Sequence, residues 1–238
     1  MPQVVKGSVR GVPLWAKLGY TAFLCVLVPY YLLTYGPTNF FYFCDVALLM
    51  TLAALWLDKP LLAGMAAVGI LLPQALWIVD FLVALCGGHI TGMTDYMFDD
   101  SIPLFARGLS LFHGWLPILL LRILYRCGYD RRAFLAWTAL AWVLMLVSYF
   151  LLPPPPAPKD NPNLPVNVDY VFGPSNDQPQ TWMPPGLYFA LFMIGYPVVL
   201  CLPTHLLLRK VFPPREDTGQ VLTELVAPSP RAIASESP

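Results

Sequence analysis

Long apolar stretches recur along the chain, interrupted only by isolated polar residues, at 14 to 35, 39 to 57, 60 to 86, 103 to 125, 133 to 152 and 185 to 210. Each is close to the ~20 residues that cross a ~30 Å hydrocarbon layer as a helix. Their apolar character covers every face instead of one stripe, which separates them from the amphipathic helices of soluble proteins. The strict alternation of a membrane β-barrel is absent. The pattern predicts an all-α membrane protein, a six-transmembrane helix bundle.

Composition agrees. Of 238 residues 57% are hydrophobic and 12% charged, against about 25% charged in soluble domains. Fourteen basic residues balance fourteen acidic ones, so net charge points to no nucleic-acid partner. Lys6, Arg10 and Lys17 precede the first apolar run as in a signal peptide, but the run continues through PYYLLTY without a small-residue cleavage site and reads as an uncleaved span. Twelve of the fourteen Lys and Arg fall on one side of the six spans, and only Arg107 and Lys159 on the other. The positive-inside rule then places both termini in the cytoplasm. An inner-membrane location is expected, with 1 to 13 a cytoplasmic N-terminus and 14 to 210 the membrane domain.

The short DKP and CGYDRR connections make their flanking spans antiparallel neighbours. On the outer side lie a segment at 88 to 102 with several Asp and a proline-rich segment at 153 to 184. The latter is either a rigid polyproline spacer or, because Asn167, Tyr170, Phe172 and Trp182 interrupt the prolines, a lid over a site. The tail from 211 to 238 lacks apolar periodicity and is expected to be disordered. No internal repeat of an inverted-repeat transporter is visible.

Polar residues inside the spans carry the chemistry, since a charge at mid-bilayer costs at least about 2.5 to 3.5 kcal/mol. At 1.5 Å per residue, Asp45 and Asp80 each lie about 9 Å below the outer boundary and Arg107 about 6 Å. An Asp/Arg/Asp arrangement either pins three helices together or lines an outer-facing cavity for a polar head or a proton. Asn39 and Tyr42 are placed on Asp45's face, and Ser110 and His113 on Arg107's. His113, about 15 Å deep by the same rise, is either a neutral inter-helix hydrogen-bonding group or a general base. His205 reads as structural. His89 with Asp95, Asp99 and Asp100 matches no metal motif. Cys25, Cys44, Cys86, Cys127 and Cys201 show no paired or zinc-like spacing. Phosphate-loop, zincin, nucleophile-elbow and dinucleotide fingerprints are all missing, and no metal or cofactor is expected. Pro73, Pro117, Pro197 and Pro203 free backbone groups that must be satisfied within the bundle.

Three segments, NFFYFCDVALL at 39 to 49, RGLSLFHGWLPILLL at 107 to 121 and NVDYVFG with PQTWMPPGLY between 167 and 188, together resemble an uncharacterised bacterial multi-pass family. More distantly they are similar to the YwaF-like integral membrane proteins. A eukaryotic branch of that wider family is associated with phospholipid acyl transfer. The resemblance therefore implies Cys44 as the acyl-accepting nucleophile and His113 as its base, acting on membrane lipids or another small amphiphile. Beside a purely structural membrane subunit, two function classes stay open: a lipid-modifying enzyme using His113 and Asp45 with the Cys44 that the resemblance implies, and Asn39, Tyr42, Asp80, Arg107 and Ser110 around the substrate, or a small-molecule or proton-coupled transporter or binding protein relying on Asp45, Asp80 and Arg107.

Overall fold

The computed structural model describes residues 12 to 213. Most of the expected N-terminal segment and tail, residues 1 to 11 and 214 to 238, lies outside the described residues. Among the described residues the structure is helical, with no strand. Helix α1 (Leu14–Thr34) is followed by a 3-10 turn (Pro37–Phe41) and α2 (Phe43–Leu57). Asp58, in the left-handed conformation at φ 54°, closes α2, and Pro60 opens α3 (Pro60–Leu85) two residues on. Then come α4 (Leu104–Ser110) and α5 (Phe112–Cys127), which form one rod, α6 (Ala133–Leu151), and a second compound rod of α7 (Pro185–Gly195), a π turn (Tyr196–Cys201) and α8 (Leu202–Val211).

Five of these rods are long and apolar enough to cross a membrane: Leu14–Thr34, Pro60–Leu85, Leu104–Cys127, Ala133–Leu151 and Pro185–Val211. The second expected span is shorter than the sequence suggested. Gly36 at φ 81° and Pro37 turn the chain into the 3-10 segment. Tyr42, extended at φ −57° and ψ 137°, delays the start of α2 to Phe43. The resulting 15 residues rise only about 22 Å. Asn39 and Tyr42 consequently precede the helix that carries Asp45 instead of sharing its face.

Helix α3 is the centre of the bundle, packing on α2, α5, α6 and α8. Its first turns are enclosed on all sides, with Ala63, Ala66, Ala67 and Val68 fully buried. Gly69 permits the closest approach: a Cβ there would overlap the indole of Trp137, which is itself fully buried. The intramembrane prolines explain several cross-helix bonds. Pro73 has no N–H for the Gly69 carbonyl one turn back, and Tyr196 Oη donates to that carbonyl at 3.0 Å. Pro197 likewise abandons the Met193 carbonyl, which accepts from Trp142 Nε1 at 2.8 Å. The π turn begins at Tyr196, beside Pro197, where the α ladder is already broken.

The two loop-rich connections, 86 to 103 and 152 to 184, lie at the same end of the bundle, where both fold onto the helix ends. Val168 and Val171 of the second are fully buried, and Asn167 N–H donates to the Pro153 carbonyl at 3.2 Å. This part of the segment is therefore a packed cap instead of a free spacer.

Candidate functional site

The N-terminus of α2 is where the capping segment meets the bundle. Phe43, its first residue, donates its N–H to Asp169 Oδ1 at 2.9 Å, and Asp45 sits in the same first turn. Acidic groups are favoured there by the unsatisfied N–H groups and the helix dipole. Asp169 reaches the position through an unusual local path. Asn167, Asp169 and Tyr170 all adopt positive φ, at 50°, 58° and 61°, a conformation costly for side-chain-bearing residues. The Asn167 side chain holds this path in place: Nδ2 donates to the Gly173 and Ser175 carbonyls at 2.8 and 2.9 Å, and Oδ1 accepts from Phe172 N–H at 2.9 Å. Tyr42 Oη adds a 3.3 Å bond to the Val166 carbonyl.

Asp45 and Asp169 are only 3% and 5% exposed. Asp45 Oδ2 accepts from Asn39 Nδ2 at 3.1 Å, but Asp45 Oδ1 and Asp169 Oδ2 are both buried with no hydrogen-bond partner. Burial, reinforced by the Asp45 charge and only partly offset by the Phe43 N–H, holds the Asp169 carboxyl well above the usual carboxylate range. Cys44, a free cysteine, lies between Phe43 and Asp45 in the same first turn.

Deeper in the bundle a second polar group adjoins the first. Tyr31 Oη and Ser110 Oγ are 3.1 Å apart, and the Tyr96 hydroxyl comes near both Ser110 and Trp77 without satisfying the indole N–H. At Leu111 the α4–α5 rod tightens, and Gly114 N–H bonds to the Leu111 carbonyl at 2.9 Å. That leaves the Ser110 carbonyl available to His113 Nδ1, 2.7 Å away. Because a carbonyl can only accept, Nδ1 carries the proton and Nε2 keeps its lone pair in the neutral ring. The imidazole stacks on Trp77 at 5.0 Å between centroids. One turn earlier in α3, Gln74 is 2% exposed and neither end of its amide has a partner. Buried orphan groups of this kind are rare in folded proteins and mark places where water or a ligand supplies the missing bonds.

The anticipated Asp45/Arg107/Asp80 cluster does not form. Both oxygens of Asp80 are already occupied: Oδ1 accepts from the N–H and hydroxyl of Thr91 at 2.8 and 2.9 Å, and Oδ2 from those of Thr94 at 3.0 and 2.6 Å. Two threonines supply enough donors for a carboxylate, so no guanidinium is required. Arg107 instead donates to the Met97 carbonyl at 3.2 Å and lies 3.8 Å from exposed Asp100. Asp80 and Arg107 thus organise the 86 to 103 loop, while Asp45, Asn39, Cys44 and Tyr42 gather with Asp169. No hydrogen bond joins Cys44 to His113. His205 bonds Tyr129 Oη at 2.8 Å near the opposite end of the bundle, and exposed His89 and Asp95 are 3.6 Å apart. Among the described residues no cluster of three or more His, Cys, Asp or Glu has metal-binding geometry.

Sequence reasoning passed over Asp169, Gln74, Trp77, Tyr31 and Tyr96. For Asp169 the available signal was NVDYVFG, an Asn and an Asp two apart in an otherwise apolar stretch. Fold and site together define a polytopic, all-helical membrane protein with a buried polar cluster at its loop-rich end. Compared with known proteins, the chain matches no family model, no curated protein and no solved structure.

Proposed function

We propose that this chain is a membrane enzyme that acts on a lipid or related amphiphile at the loop-rich end of the bundle, by acyl transfer. In this reading α2 completes a set of six spans, both termini are cytoplasmic, and the loop-rich end faces outward from a bacterial inner membrane. The observation that carries it is the pair of buried carboxyl groups, Asp45 and Asp169, each with an unused oxygen, brought together at the first turn of α2, where Cys44 lies between Phe43 and Asp45 in the chain.

The chemistry balances with a lipid ester and an acceptor alcohol alone. Sulfur of Cys44 attacks the ester carbonyl, a carbon–sulfur bond forms and the carbon–oxygen bond to the leaving alcohol breaks. The Asp169 carboxyl gives its proton to the leaving alkoxide oxygen as its other oxygen takes up the thiol proton, so that the alcohol departs neutral and the acid is restored. The acceptor hydroxyl then attacks the thioester, and its proton returns to sulfur. Asp169, bonded to Phe43 N–H at the first turn of α2 and held protonated by burial, suits the proton-carrying role. His113 exchanges protons through Nε2 deeper in the cluster, and Asn39, Tyr42 and Ser110 orient the polar head. Asp80 and Arg107 shape the entrance by fixing the 86 to 103 loop.

A small-molecule or proton-coupled transporter is the competing reading, favoured by the unpartnered Gln74 amide. Transport needs a polar route onward from His113, yet Leu116, Leu120, Ile123 and Val68 follow and are fully buried. An enzyme needs only one entrance. Purified protein in liposomes, incubated with labelled phospholipids and acceptor alcohols, tests the choice: wild type is expected to redistribute label and Asp169→Asn and His113→Ala to be slower. Equal turnover in all three would remove both residues from the mechanism. No turnover across lipid classes would favour the transport or binding reading.

A further inference from the structure

Beside the π turn, the compound rod carries an open apolar groove of about 460 Å³, lined along its length by Tyr188, Leu191, Phe192, Gly195 and Val199 and roofed by Trp182. It opens on the face of a membrane-crossing rod where Leu191, Ile194, Val198 and Val199 are exposed, so it is continuous with the surface that meets the hydrocarbon. The roof is anchored. Gln180 brackets Met183 with bonds of 3.0 and 3.1 Å through its side chain, and its N–H donates to the Phe172 carbonyl at 2.9 Å.

Two contacts tie the groove to the polar cluster. Its floor includes Tyr196, whose ring packs on Phe43 at 4.6 Å between centroids, and Phe43 is the residue whose N–H is held by Asp169. At its upper end Tyr188 Oη donates to the carbonyl of Tyr170 at 3.1 Å, immediately after Asp169 in the chain. From Tyr188 to Leu200 the rod advances about 18 Å at 1.5 Å per residue. That matches one leaflet, half of the ~30 Å hydrocarbon thickness.

We infer that this groove holds one fatty acyl chain of a phospholipid in the leaflet at the loop-rich end, with the head lying over Tyr170 toward Asp169 and Asp45. The inference rests on the reading that this end acts on a lipid, and it names the substrate class as a chain-bearing phospholipid. The length matches the occupant, the lining is apolar where a chain would lie, and polar groups begin where a head would lie. Ordinary annular lipid would coat the groove and the other exposed faces alike, whereas a held chain would be concentrated in the groove.

The experiment uses the full chain in phosphatidylethanolamine/phosphatidylglycerol vesicles containing a phosphatidylcholine with a photoactivatable group midway along one acyl chain. Labelled peptides are mapped after irradiation. Labelling is expected to concentrate on 188 to 200 relative to the comparably exposed face of α6 at Leu135, Val143 and Phe150. A Cβ at Gly195 would meet nothing within 4 Å, so Gly195→Phe is expected to fill the groove without disturbing packing and to lower labelling about tenfold. Val199→Trp, at an exposed position, provides a second filling variant. Equal labelling of the α6 face, or labelling unchanged in both variants with unaltered helical content, would overturn the inference. Lipid turnover is followed in the same samples. Groove labelling without turnover leaves the bound chain standing and removes the enzymatic reading, while turnover without groove labelling does the reverse.

Discussion

Asp169 and Asp45 show how a carboxyl group becomes informative only when its surroundings are known. Asp45 stood out as a charge within an apolar run, but its bond to Asn39 arises from the 3-10 turn that folds Asn39 back before α2, not from the shared helix face the sequence suggested. Asp169 is 124 positions away from Asp45 and is delivered by consecutive left-handed residues, a conformation no local preference of Asp or Tyr announces. Its raised pKa makes a signed prediction. Protonation is favoured in the folded protein relative to the unfolded chain, so the associated stability is complete below the ordinary Asp range and is lost as pH rises through the folded value. Melting followed by tryptophan fluorescence in detergent should therefore fall with rising pH above about 4, the ordinary carboxylate value, and Asp169→Asn should flatten that dependence while keeping an acceptor for Phe43 N–H. An unchanged pH slope in the variant would assign the effect to another group. For Asp80, replacement by Ala removes four hydrogen bonds to Thr91 and Thr94. Amide exchange at these two threonines is expected to accelerate about tenfold or more, since bonds to charged groups contribute ~1.5 to 3 kcal/mol. Unchanged protection there would mean that the carboxylate does not hold the loop.

At the level of elements, apolar length was enough to place five spanning rods, because continuous burial or lipid contact leaves little choice of period. It overestimated the second span because the propensity of NFFYF for the membrane does not reveal a 3-10 turn followed by an extended Tyr42. The prolines were legible as sites of lost backbone bonds, whereas their partners were not: Tyr196 and Trp142 come from distant segments to cap the Gly69 and Met193 carbonyls. The contact between α3 and α6 at Gly69 yields the sharpest test. Gly69→Ala drives a methyl into the Trp137 ring, which is enclosed and bonded to Tyr196 at 2.9 Å, and is expected to destabilise the protein by about 1 to 3 kcal/mol. Gly114→Ala adds the same methyl where nothing lies within 4 Å and is expected to be neutral or to stabilise by about 0.5 to 1 kcal/mol. Denaturant titration of both variants compares the signs directly; equal effects would show that crowding at Trp137 is not limiting.

At the scale of the whole molecule, an end rich in Lys and Arg, with Arg122, Arg131, Arg132 and Arg209, lies opposite an end capped by two loops. The distribution of Lys and Arg gave an orientation, and its test is topological: a reporter active in the cytosol should work at the C-terminus and fail at residue 165, and a periplasm-active reporter should do the opposite. The reverse pattern would invert the orientation proposed for the site. What the chain does at that end depends on whether Cys44 becomes covalently acylated. The most direct measurement is intact-protein mass spectrometry of the full chain in liposomes supplied with a labelled phospholipid donor and no acceptor. One hydroxylamine-sensitive acyl adduct is expected, located on Cys44, absent in Cys44→Ala and discharged when an acceptor alcohol is added; acyl transfer that proceeds undiminished in Cys44→Ala would contradict a Cys44 acyl-enzyme.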